Sequence, residues 1–230
     1  MPKDFKSFEA DTGLQFNDLN LLRQAFTHRS YINEHRGEVS GHNERLEFLG
    51  DAVLELISTR FLYERFPDKP EGELTAYRAA LVNAVTCAEI ATKLGMNDYL
   101  LLSRGESKDT GRARAILLAN AFEALIGALY LDSGYDAAKL FIERHLFPKI
   151  DEIIKGRLWQ DAKSTLQEKA QEHDGITPNY KVLAESGPDH AREFRVGVYV
   201  GNTILAEGGG KSKQEAEQEA ARAALEKRGW

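Results

Sequence analysis

The sequence predicts an α+β chain in two parts: an all-α domain over 1–154, then, past a linker at 155–160, a small α-β-β-β-α domain over 161–230. Three observations predict it. From Phe5 to about Ile153 the apolar residues recur every three or four positions, the helical period. Tyr180, Val182 and Ala184 alternate instead, as do Phe194, Val196, Val198 and Val200, which is the strand period. Between these halves, the stretch from Lys155 to Asp161 keeps neither period.

The elements follow in order. Leu19, Leu22, Gln24, Ala25 and Phe26 predict a short amphipathic helix ending near Thr27-His28-Arg29-Ser30, and a polar loop from Asn33 to Gly41 follows. A helix then runs to about Phe66, where Pro67 and Pro70 end it, because proline lacks the helix donor and disfavours helix before it. Glu71-Gly72-Glu73 opens a helix through Ala76, Leu81 and Val85, and another runs from Ala88 to Leu94 and stops at Gly95. Leu100 to Arg114 reads as a loop, Ala115 to Leu131 as an apolar helix, and Asp136 to Ile154 as the last helix of this half. In the tail, Ser164 to Glu172 is helical. The alternating runs, joined by a Gly201-Asn202 turn, are strands, and the Gly208-Gly209-Gly210 triplet is expected to break the sheet. Ser212 and Glu215 are spaced as a capping box for a final helix reaching Lys227.

Composition narrows the setting. With 230 residues, 42% hydrophobic and 29% charged, the chain is an ordinary globular protein with volume for a core. Its net charge of −6 does not by itself suggest nucleic acid. The lone cysteine, Cys87, has no internal disulfide partner, which points to a reducing compartment; its neighbours make it a buried, inert thiol. The N-terminus lacks a signal-peptide core, and no apolar run is expected to reach the roughly 18 residues of a membrane span. The expected location is cytoplasmic, with no membrane partner.

The chemistry centres on His42 to Leu54. Glu44, Glu47 and Asp51 sit at i, i+3 and i+7, so three carboxylates share one side of that helix. A second polar pair, Asn120 and Glu123 at i and i+3, interrupts an apolar helix, where an ionised glutamate is costly unless neutralised. If the two helices pack together, Glu47, Asp51, Asn120 and Glu123 converge as an oxygen-only set suited to Mg²⁺ or Mn²⁺ rather than zinc. Bare spacing leaves the other possibility open: solvated charges on helix faces.

The stretch His42-Asn43-Glu44-Arg45-Leu46-Glu47-Phe48-Leu49-Gly50-Asp51-Ala52-Val53-Leu54 resembles the signature of the bacterial ribonuclease III family, with Ala52 where the family has Ser. Thr27 to Ser30, Glu71 to Leu74 with Arg78-Ala79, and Phe122 to Ala128 with Tyr130-Leu131-Asp132 are similar to further family segments, in family order. The resemblance implies that Glu47, Asp51, Asn120 and Glu123 bind metal, with Asp51 and Glu123 essential to catalysis. Glu44, Glu71 and Glu106 match acidic positions assigned to structure, the dimer contact or support of the site. Asn120 stands where many members carry Asp; its amide oxygen can ligate a hard cation but brings no charge, so weaker metal binding is expected.

The tail resembles a double-stranded-RNA-binding domain, which reads A-form shape, 2′-hydroxyls and phosphates. Ser164, Gln167 and Glu168 match its first-helix RNA face, and His190, within Gly187-Pro188-Asp189-His190, its minor-groove loop. Lys211, Ser212 and Lys213 match the phosphate-facing start of its last helix. Gln214 replaces the second Lys of the usual pair, Ala162 the usual Pro and Lys169 the usual aromatic residue. Without the resemblance, an ordinary capped α/β domain with a solvated His190 describes the same residues.

Together the resemblances imply a homodimeric, Mg²⁺-dependent endoribonuclease, with Mn²⁺ able to substitute. It would cleave double-stranded RNA to 5′-phosphate and 3′-hydroxyl ends, in ribosomal RNA precursor processing and the processing and turnover of other structured RNAs. Two alternatives are a duplex-RNA-binding regulator that does not cut and a phosphohydrolase of small nucleotides. The first is disfavoured by the presence of Asp51 and Glu123. The second leaves the tail unexplained and lacks His-Asp ligand pairs.

Overall fold

A computed structural model describes residues 4–35, 41–187 and 192–230. The chain forms two compact units, Met1–Trp159 and Gln160–Trp230.

In the first unit, α1 (Phe5–Thr12), α2 (Leu19–Ala25), α3 (Arg29–Glu34), α4 (Glu44–Arg65), α5 (Glu71–Leu81), α6 (Ala84–Lys93), α7 (Arg112–His145) and α8 (Lys149–Lys155) follow one another. Short 3-10 turns lie at Met96–Tyr99 and Glu106–Lys108. Side chains of Asp4, Asp18 and Asn83 cap α1, α2 and α6 by accepting otherwise unpaired backbone N–H groups. The centre of α7 is buried almost all round, through Leu118, Phe122, Leu125, Ile126 and Leu129, and α2, α4 and α6 pack against it.

α4 and α7 cross backbone to backbone. A Cβ on Gly50 would overlap the Glu123 carbonyl oxygen and lie 2.9 Å from the Gly127 backbone nitrogen. A Cβ on Gly127 would in turn overlap the Leu46 carbonyl oxygen. Gly50 is therefore no interruption of its helix; it is the point where another backbone enters.

Several expectations need correction. The chain does not leave the second helix directly into a loop: Thr27 pairs with Leu101 in a parallel bridge, and His28 caps α3. The stretch to Arg114 is not all loop, because α7 begins at Arg112. The kink of α7 at Gly134 (φ 81°) falls where the sequence separates Ala115–Leu131 from the next helix, but that next helix is not continuous over Asp136–Ile154: α7 ends at His145, and a second helix starts after Pro148, which has no N–H to continue the first. Nor does the charge pattern keep every stretch below membrane-spanning hydropathy. An 18-residue window of α7 has a mean hydropathy of 1.5, and 56% of it is buried, which fits a core helix. Beyond α8, the Trp159 ring packs edge-on against Tyr77 at 4.9 Å.

In the second unit, α9 (Ala162–Asp174) precedes β1 (Asn179–Ser186), β2 (Glu193–Val200), β3 (Thr203–Gly210) and α10 (Lys213–Arg228). The strands form an antiparallel sheet in the order β1-β2-β3. Leu166, Ala170, Val198 and Leu205 meet the small face of α10, Ala220, Ala221 and Ala224, in a separate core. The alternation expected of Tyr180, Val182 and Ala184 is not kept: the register shifts between Val182 and Ala184, and Val182 is itself exposed.

The glycine triplet does not break the sheet either. Gly208, Gly209 and Gly210 pair with Val196, Arg195 and Phe194 inside β3. A Cβ on Gly208 would collide with the α10 backbone at Ala220 and lie 2.6 Å from the Ala216 carbonyl oxygen. The glycines let the helix close onto the strand.

Candidate metal centre and RNA-binding surface

Because α4 and α7 cross at two glycines, the acidic positions on each come to face the other. Glu47 is half-buried one turn from the Gly50 contact, and Asp51 is exposed just beyond it. Glu123 is half-buried on α7, and its own carbonyl is the group that touches Gly50. Burial, then Asp51, then Glu47 push the Glu123 carboxyl up to about 7. Burial, then Glu44 and Asp51, raise that of Glu47. Asn120, one turn before Glu123, lines a cavity of about 240 Å³ together with Glu44 and Glu47.

The carboxylates face one another without forming a closed cage. Among the described residues, no three His, Cys, Asp or Glu side chains are close enough together to hold an ion as they stand. Burial first, and then the like charges across the crossing, raise the Glu123 and Glu47 carboxyls. The donor set fits a hard divalent cation: every candidate atom is oxygen, and the cost of charging Glu123 is of the kind a cation at the crossing would remove. Behind this face, burial and then the charges of Glu123 and Asp51 push the Cys87 thiol up to about 12, so it is not a nucleophile.

Of the supporting acids, Glu44 borders this group and Glu106 and Glu71 stand apart from it. Glu44 is exposed at the start of α4, with its carboxylate 3.7 Å from the Arg29 guanidinium and 3.8 Å from His42 Nδ1. Glu106 opens a 3-10 turn, its backbone N–H donating to Ser103 Oγ at 3.3 Å, and its charge is felt by His28 rather than by Glu47 or Glu123. Glu71 stands exposed in the first turn of α5, where a carboxylate favours the helix dipole, and raises neither of those carboxyls.

In the second unit, Ser164, Gln167 and Glu168 are exposed on one side of α9. The Ser164 hydroxyl also serves the helix start, donating to Asp161 Oδ2 at 2.7 Å. At α10 the Ser212 hydroxyl oxygen accepts from Glu215 N at 3.1 Å, and the Glu215 carboxylate accepts from Lys211 N at 2.7 Å. The box therefore closes one residue before the cap. Lys211 and Lys213 are exposed; Lys213 reaches Glu185 at 3.1 Å and lies over the Phe194 ring. His190 lies outside the described residues.

Three features escaped the sequence reading. Phe48 and Leu56, on the outer side of α4, are 82% and 59% exposed, an apolar stripe left uncovered by the described residues of the unit. Gly50 and Gly127 set the crossing. His28 and Arg29 stand on the rim of the Glu47–Asn120 cavity. Large apolar residues at helical spacing look alike whether they face a core or solvent, so only burial separates them.

A helical unit with facing carboxylates, joined to a small α/β unit carrying lysines at a helix start, is consistent with a nuclease coupled to a nucleic-acid-binding unit. Residues 18–150 match the family model for ribonuclease-III-like domains, and residues 162–228 that for the double-stranded RNA binding motif. Ribonuclease 3 of Enterococcus faecalis is 49% identical over 213 residues, covering 93% of this chain and 92% of the relative. That of Bacillus licheniformis is 47% identical over 225 residues, covering 98% and 90%. A solved structure of the nuclease domain of ribonuclease III from Campylobacter jejuni, described with structural flexibility in a region involved in dimer formation, is 39% identical with a TM-score of 0.57. It covers 63% of this chain and 99% of that one. The chain belongs to the ribonuclease III family and is an endoribonuclease acting on double-stranded RNA.

Proposed function

We propose that Glu47, Asp51, Asn120 and Glu123 hold Mg²⁺, with Mn²⁺ able to replace it, and that this centre cuts duplex RNA to 5′-phosphate and 3′-hydroxyl ends. The observation that carries the reading is the Glu123 carboxyl, pushed to about 7 by burial and by Asp51 and Glu47 across the crossing. When bound, a hard divalent ion supplies an activated water and neutralises charge on the phosphoryl oxygens. The chain's own part is to fix the ligand oxygens. Glu123 is carried on a buried helix, Glu47 on its close neighbour, and Asp51 faces solvent where the RNA strand arrives. Apolar Leu117 and Leu100 line the cavity behind and limit water there. Glu44 and Glu106 support the neighbouring wall, and Glu71 acts away from the centre.

Asn120 supplies a neutral oxygen. Asn120→Asp is expected to lower the Mg²⁺ concentration for half-maximal cutting several-fold, because one more negative charge faces the ion. A Mg²⁺ titration showing an unchanged requirement would count against Asn120 as a ligand.

We propose the start of α10, with Ser164, Gln167, Glu168 and His190, as the RNA-reading surface of the tail. Lys211→Glu with Lys213→Glu is expected to weaken duplex binding strongly and lower the slope of log affinity against log salt by about two, one per lost phosphate contact. Unchanged cutting at physiological salt would remove this surface from the account. The exposed Phe48–Leu56 stripe supports a homodimer through α4, and the lone buried Cys87 suits a cytoplasmic setting. Processing of ribosomal RNA precursors and of other structured RNAs is the proposed role. Labelled duplex RNA incubated with and without Mg²⁺ tests the core of the reading: Mg²⁺-dependent cutting supports it, whereas binding without cutting favours a regulatory protein.

A further inference from the structure

The cavity holding Glu47 and Asn120 has a second wall of opposite character. His28, Arg29, Ile116 and Leu117 line it, and the same four side chains line an adjoining cavity of about 540 Å³ that extends to His42 and Glu106. His28 and Arg29 thus stand between the carboxylates and a second open space, at the start of α3.

Their chemistry is fixed by local contacts. Ser30 N–H, which can only donate, is directed at His28 Nδ1 at 3.3 Å, and the Ser30 hydroxyl lies 2.8 Å from the same atom. Ser30 Oγ also accepts from Ser103 N at 3.1 Å, and with Nδ1 already accepting from Ser30 N its hydroxyl proton is the one that points at His28. His28 Nδ1 is therefore an acceptor, and the ring proton sits on Nε2. His28 is a neutral donor beside a permanent cation, Arg29.

Arg29 is held by little. Its guanidinium is 72% exposed and meets the 49% exposed Glu44 at 3.7 Å, a solvated pair of small worth. A phosphodiester, like a carboxylate, presents two anionic oxygens that a guanidinium can bind together, so exchanging Glu44 for phosphate costs little. An RNA strand approaching a chain of net charge −6, at a cluster of carboxylates, needs cationic contacts beside the metal centre.

We propose that Arg29, with His28 Nε2–H beside it, is a phosphate-holding wall that positions the strand being cut against the Glu47–Asn120–Glu123 centre, and that Glu44 parks Arg29 when RNA is absent. This rests on that centre being the cutting site. Arg29 acts on RNA binding and placement, not on the metal.

The test uses the full chain, a labelled RNA duplex, saturating Mg²⁺ and a KCl series. Arg29→Gln is expected to lower kcat/KM about tenfold and reduce its dependence on log salt by about one unit, with the Mg²⁺ requirement unchanged. Arg29→Lys, which keeps the charge, should restore the slope. His28→Gln should lower kcat/KM without changing the slope, because His28 carries no charge. An unchanged slope in Arg29→Gln, or a shifted Mg²⁺ requirement matched by Glu44→Gln, would make Arg29 a mere tether of Glu44 and overturn the proposal. A changed slope in His28→Gln would overturn the neutral role of His28. Glu123→Gln run alongside keeps the two readings apart: if it still cuts, the centre itself is misplaced, whatever Arg29 does.

Discussion

Gly127→Ala is expected to destabilise the nuclease unit by about 3 kcal/mol, the upper end for forcing atoms into a filled core, and to lower its melting temperature by roughly 10 °C. At an open helical position the same change would add about 1 kcal/mol of stability, because alanine is the better helix former. The sign reverses because the new methyl meets the Leu46 backbone carbonyl, which no side-chain rotation can clear. Only moving α4 away from α7 makes room, and that separates Glu47 and Asp51 from Asn120 and Glu123. A displacement near 1 Å in a positioned site is worth about a hundredfold in rate, so cutting by the folded fraction should fall by that order. Gly50→Ala meets the Glu123 carbonyl and should behave alike. Thermal melts and single-turnover cleavage of duplex RNA check both effects. A variant that melts at or above the parent temperature with full activity would show that the crossing does not set the site.

Glu123→Gln is the second large effect. Cutting should fall by at least about a hundredfold to a thousandfold, as removal of one charge-stabilising group does elsewhere. Its stability should move the other way. Glu123 has its carboxyl raised from 4.5 to about 7 in the folded chain, so the folded state holds that proton more tightly than the unfolded one. Below about pH 4.5 both states are protonated and nothing is lost. As pH rises towards 7 the metal-free protein loses stability, and above that the whole penalty is present, about 2 kcal/mol once partial solvent screening is allowed for. Glu123→Gln removes the fall, so the metal-free variant should melt above the parent at pH 8 and match it at pH 4. Equal melting temperatures at both pH values would mean that Glu123 is not desolvated among like charges.

The two predictions share one cause, and it marks what could be read from the chain. The acidic positions were legible because their type and spacing are chemical: Glu47 and Asp51 one turn apart, and Asn120 and Glu123 inside an apolar helix, suggest a cation, and the resemblance to a family signature was needed to prefer that over solvated helix charges. Their meeting depends on Gly50 and Gly127, and a glycine in a helix reads equally well as a weak point or as a contact. The same ambiguity misplaced Gly208 to Gly210, taken for a sheet breaker when the strand continues through them under α10. The kink at Gly134 falls between the two helices the sequence separates, but the break before α8 lies where apolar periodicity continues across a turn, so there the period alone joins what the backbone separates. His28 and Arg29 were legible only as part of a family segment. Their place beside the carboxylates depends on the Thr27–Leu101 bridge, a pairing between residues far apart in sequence.

The central claim is that the facing carboxylates of α4 and α7 hold a divalent cation, and calorimetric titration of Mg²⁺ into the full chain tests it most directly. Run near pH 6.5 in two buffers of different ionisation enthalpy, it reports affinity and proton release together. A cation at the crossing must displace the proton that Glu123 retains there, so the parent should release protons on binding. Glu123→Gln should bind at least about tenfold more weakly and release none. Equal affinity and equal proton release in the two proteins would contradict the account.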